Sequence, residues 1–141
     1  MCCVPHPAGL PNLFVDRSLG RIAVPGILRD AGLRLITLAE RYGIPQDEKV
    51  TDERWLEDAG LRGEAVFMKD RRVRYNTAEK LVIARFNVRC FCLSRQDLDA
   101  TAMAGRFLFN LERIALACAV PGPFLYAVHD RRIDRLPSPF A

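Results

Sequence analysis

Four acidic residues stand where apolar segments begin or end. Asp16 closes LFV and opens DRSLGR, Glu40 follows RLITLA, Asp52 precedes ERWLEDAG, and Asp70 closes EAVFMK. Carboxylates gathered without a counter-charge repel one another and hold their protons, which costs stability. A divalent cation removes that cost, and an all-oxygen site suits Mg²⁺ or Mn²⁺. The chemistry such a site supports is phosphodiester hydrolysis, with the cation activating water and stabilising charge on the phosphoryl oxygens. Arg17, Arg21, Lys69, Arg71, Arg72 and Arg74 crowd the same two strand ends. They can hold backbone phosphates by charge, with affinity that depends on salt and little on sequence. A basic rim is needed, because acids alone would repel a polyanion.

The elements must bring these residues together. LFV (13–15) reads as a short buried strand, followed by a helix over about 19–31 that Pro25 starts or kinks and Gly32 stops. Residues 34–39 read as a second strand and ERYGIPQDEK as a polar loop. Thr51 or Asp52 caps a helix to about Leu61, with Trp55, Leu56 and Ala59 on its apolar face. Residues 64–70 form a third strand. DRRVRYN is a basic loop, and Asn76 and Glu79 have capping-box spacing for a helix to about Phe86. Residues 88–94 form a fourth strand. One long helix over 97–119 carries a stripe of Phe107, Leu111, Ile114, Ala115 and Cys118, and FLYAV with a partner near Ile133 makes a last strand or hairpin.

Alternating short apolar strands and helices predict a mainly parallel α/β sandwich. Ligands of such sheets bind beyond the carboxyl ends of the strands. Asp16 and Asp70 would then share one sheet edge. If their strands are neighbours or one strand apart, spacings of ~4.8 Å bring both within reach of one cation. Asp52 and Glu40 could face the same edge.

Composition bounds the alternatives. The chain has 141 residues, half of them hydrophobic and 27% charged, with a net charge of +4. That fits one domain with its own core. The expected division is a loose leader over 1–10, a domain over 11–136 and a tail over 137–141. Five cysteines, an odd number without paired zinc spacing, argue against a disulfide framework or zinc site and for a reducing cytoplasm. The leader lacks a signal peptide's charged start and apolar core. No run approaches the ~18 apolar residues of a membrane span. His6 and His129 are unpaired, which disfavours Ser/His or Cys/His catalysis, and G-x-x-x-x-G-K is absent.

Taken in order, FVDRSLGR, TLAERYG, TDERWLEDAG and VFMKDRRVR resemble the PIN-like domains related to VapC-type toxin ribonucleases. FCLS and MAGRFLFNLERI followed by PGPFLYAV resemble the same branch, so the likeness covers about residues 12–136. The resemblance implies a three-layer α/β/α fold with a central, mainly parallel sheet. It implies Mg²⁺- or Mn²⁺-dependent RNA cleavage in the cytoplasm and a cognate antitoxin. Asp16, Asp52 and Asp70 match the metal-binding acids, and Glu40 matches the remaining catalytic acid. Many such chains carry D-x-D after the third motif strand. Here Asp70 is followed by Arg71 and Arg72, which suggests one firmly held metal, or a site completed by substrate phosphate.

Each acid also has a local reading. Asp16 and Asp52 could be helix caps, Asp70 could open a turn, Glu40 could be a solvated loop residue, and Glu79 is explained by capping. The 97–119 helix could offer a homodimer or antitoxin surface, although its stripe is more simply core. A receiver-like phosphoacceptor would want paired acids after the first strand and a late lysine. Instead Arg17 follows Asp16, and the last lysine is Lys80. The other alternative is a catalytically silent PIN-like module that only binds RNA or protein.

Overall fold

A computed structural model describes residues 6–69 and 76–137. Within it a six-stranded sheet runs in the order β2-β1-β3-β4-β5-β6. β1 (Leu13–Val15) pairs in parallel with both β2 (Leu35–Thr37) and β3 (Ala65–Met68). β4 (Arg89–Leu93) and β5 (Phe124–Val128) continue the parallel set, and β6 (Ile133–Arg135) closes it antiparallel to β5. The first and third strands are therefore direct neighbours.

Period-2 alternation sends successive strand residues to opposite faces. Leu13, Val15, Phe67 and Phe91 pack on one face with α1 (Ala23–Asp30), α5 (Ala100–Phe109) and α6 (Leu111–Ala117). Phe14, Val66, Met68 and Cys90 pack on the other with α2 (Leu38–Tyr42), α3 (Asp52–Leu61) and α4 (Thr77–Arg85). The result is a three-layer α/β/α sandwich.

Three elements depart from the sequence reading. The first helix splits, with a 3-10 turn at Arg17–Leu19 preceding α1. Residues 34–39 are not all strand, because Thr37 ends β2 and caps α2 in a reciprocal box with Glu40. The long helix is two. Asn110, wholly buried, turns its amide to the carbonyls of Arg106 and His129, both at 2.9 Å, and the backbone breaks there. The predicted stripe nevertheless points inward, with Phe107, Leu111, Ile114, Ala115 and Cys118 all buried.

Residues 6–10 of the expected leader are tied down. His6 Nδ1 accepts the Arg34 N–H at 3.0 Å, and Leu10 is buried in the core. Residues 1–5, with Cys2 and Cys3, and 138–141 of the tail lie outside the described residues. Cys90, Cys92 and Cys118 are buried and in no disulfide among the described residues. Among the described residues no helix is long and apolar enough to cross a membrane.

Candidate functional site

Asp16 continues β1 past its last paired residue. Its N–H still donates to Phe67 O at 3.0 Å, so the chain leaves the sheet held against β3. The side chain caps the 3-10 turn: Oδ2 accepts from Ser18 Oγ at 2.7 Å and Ser18 N at 3.3 Å. Ser18 Oγ in turn accepts the Lys69 N–H at 3.0 Å, so one hydroxyl bridges the ends of β1 and β3. Gly20 ends the turn at φ +83, a backbone state that favours glycine. These contacts explain the local pattern D-R-S-L-G. Asp16 Oδ1, however, is buried with no partner among the described residues. Burial raises the Asp16 pKa, the Ser18 bonds oppose this, and the Asp52 charge raises it further.

Asp52 is the first residue of α3, and Thr51 is the cap. Its carboxylate is therefore free to face outward from the helix start. Trp55 Nε1 donates to Asp52 Oδ1 at 2.9 Å, and the Trp55 ring stacks on Phe14 with centroids 5.2 Å apart. The core of one layer thus aims the acid. Arg17 lies 4.0 Å from Asp52 Oδ1 and donates to Val50 O at 2.5 Å.

The third acid brought to this edge is Glu79. Asn76 caps α4 by accepting the Glu79 N–H at 3.0 Å. The Glu79 carboxyl shares a hydrogen bond with Asp52. Burial, then the charges of Asp52, Glu53 and Asp16, push its pKa up to about 7. The thiol of Cys90, beneath the sheet edge, is pushed up by burial and then by Asp16 and Glu79. The sequence signal for Glu79 was present but was absorbed by the capping pattern, of which only the Asn76 half forms.

Glu40 is committed elsewhere. Both of its oxygens are held by Arg29, at 2.8 and 2.5 Å, and Oε1 also accepts the Thr37 N–H. The Arg29 bonds hold its carboxyl below the ordinary value. Arg21 is exposed and Lys69 half-buried beside Ser18. Asp70, Arg71, Arg72 and Arg74 lie outside the described residues.

An unpartnered carboxylate oxygen beside two further acids matches the chemistry of a hard divalent cation, which takes oxygen ligands. Among the described residues no three His, Cys, Asp or Glu side chains are grouped closely enough to hold one.

A family profile described as PIN like domain matches residues 11–95. A Mycobacterium tuberculosis protein named "Putative ribonuclease VapC45" is 42% identical over 129 residues, spanning 92% of this chain and 94% of its own length. No solved structure matches.

Proposed function

This chain belongs to the PIN-like domain family, and on that premise we propose that it is a divalent-metal-dependent ribonuclease, the toxin of a type II toxin–antitoxin pair acting in the cytoplasm. The relative's name, with coverage of nearly both whole chains, supports RNA as substrate and an antitoxin as partner. The observation that carries the chemistry is Asp16 Oδ1, buried and unpartnered among the described residues at the end of β1. A buried carboxylate oxygen is costly unless something cationic or hydrogen-bonding meets it.

Asp16, Asp52 and Asp70 would hold Mg²⁺ or Mn²⁺, with Ser18 orienting Asp16 and Trp55 orienting Asp52. Bound there, the cation would neutralise the acids and stabilise charge developing on the phosphoryl oxygens. Without the cation, burial and the charges of Asp52, Glu53 and Asp16 push the Glu79 pKa up to about 7, which eases the crowding of carboxyls at this edge. We assign Glu40 to fixing α2 against Arg29 rather than to the metal. Arg17, Arg21, Lys69, Arg71, Arg72 and Arg74 would draw RNA to the acids.

The test is cleavage of a mixed RNA pool in Mg²⁺, Mn²⁺ or EDTA by wild type and Asp16→Asn. Cleavage that needs metal and is lost in a folded Asp16→Asn protein is expected. Cleavage indifferent to EDTA and to the substitution would sink the proposal.

A further inference from the structure

We infer that the pocket of Ser94, Arg95, Arg106, His129, Arg131 and Arg132, which Asp130 also lines, is a phosphate subsite for single-stranded RNA, separate from Asp16 and Asp52. It is a cavity of about 660 Å³. Ser94 follows β4 and His129 follows β5, so the pocket lies at the carboxyl edge that also carries Asp16. Between them the edge is continuous, because Gln96 Nε2 donates to Lys69 O at 2.8 Å and joins the β3 end to the β4 end.

Charge decides the ligand class. Arg106 is half-buried and preset, with Nη1 donating to Ser94 Oγ at 2.9 Å and to Val128 O at 3.5 Å. A guanidinium carries five N–H donors, so most of its fork is left for a bidentate anion such as phosphate. Arg95 and Arg132 are held by Asp97 and Asp134, the former at 3.0 and 2.8 Å. Asp130 also lines the pocket, but among the described residues no acid forms an ion pair with Arg106 or Arg131. Arg131 instead lies 5.8 Å over the ring of Phe109, which is 55% exposed and has Arg113 at 5.7 Å. An exposed ring with two guanidiniums close to it, beside a cationic pocket, suits a strand whose bases are unpaired and can stack. An acidic peptide would use the charges but not the ring.

Distance sets the register. β1 and β5 are three strand intervals apart, about 14 Å at ~4.8 Å each. At ~3.4 Å per stacked nucleotide that is about four nucleotides, fewer if the strand is extended. The direction of the track relies on the ribonuclease reading, but binding can be measured without it.

The experiment is fluorescence anisotropy in EDTA, which withholds the cation that cleavage would need, with RNA oligonucleotides of about two and about twelve residues, titrated with salt. Wild type should gain about tenfold in affinity from the longer strand. Arg106→Gln/Arg131→Gln should lose that gain and lower the salt slope by about one or two. Arg131→Gln alone, at an exposed position, should show part of the loss even if the double variant folds poorly. Equal affinity of variants and wild type for the longer strand would overturn the inference, as would competition by polyglutamate as effective as RNA. If wild type cleaves no RNA while the length gain still depends on these arginines, the ribonuclease reading falls and the subsite stands.

Discussion

Asp16 spends one oxygen on Ser18 and leaves the other buried without a bond among the described residues. Ser18 is the residue that makes this arrangement rigid, since its hydroxyl also takes the Lys69 N–H from β3. Groups that orient metal ligands are commonly worth about 10–100-fold in metal affinity or activity. Ser18→Ala should therefore raise the Mn²⁺ concentration for half-maximal cleavage by about tenfold or more, measured in a titration of initial rates. Glu79 makes a second prediction. Its folded pKa, about 7, lies above the ordinary 4.5, and that of Asp16 is also raised. Both bind protons more tightly folded than unfolded, so their contribution is complete below the unfolded range and is lost as pH rises through the folded values. In EDTA the melting temperature should fall as pH rises from about 5 to about 8, and Glu79→Gln should flatten that fall. A melting curve independent of pH in wild type would contradict the crowding of these acids.

At the scale of elements, α3 and α4 both begin at the acid edge and close together at their far ends. Gly60 permits this: a Cβ there would stand 2.6 Å from Phe86 O and 2.7 Å from Phe86 Cβ. Gly60→Ala should force the two helices apart and cost about 1–3 kcal/mol in urea unfolding, the usual range for overpacking. Because Asp52 and Glu79 ride on these helices, metal affinity should weaken with it. A second tie lies under the same layer. Arg41 of α2 and Glu64 form a buried double-hydrogen-bonded ion pair, and the Arg41 guanidinium sits 5.0 Å from the Phe14 ring centroid. Removing one charge strands the other, so Glu64→Gln should destabilise the protein by about 3–5 kcal/mol. Equilibrium unfolding checks both substitutions.

For the whole molecule, the sheet separates two cores, and the acids lie where one of them meets the carboxyl edge. A cation bound only by the folded state stabilises it by mass action. Mn²⁺ added at about pH 8 should raise the melting temperature of wild type by several degrees and leave Asp16→Asn unmoved. An equal rise in both would place the binding elsewhere.

Periodicity and composition were enough to establish the layered α/β architecture, the inward stripe of Phe107 to Cys118, and the strand-end position of Asp16. These follow from local chain chemistry: alternating apolar residues make strands, and caps and glycines bound helices. Only the tertiary structure decided which side chains meet. The pattern Thr37–Glu40 looked like strand and loop but is a cap closed by Arg29 from another helix. Asn76–Glu79 looked like a closed box, yet the Glu79 carboxyl turns to Asp52, 27 residues away in sequence. Asn110 breaks a periodic helix because its amide finds the His129 carbonyl across the fold. In each case a through-space partner competes with the local one, and no spacing along the chain records where that partner will be.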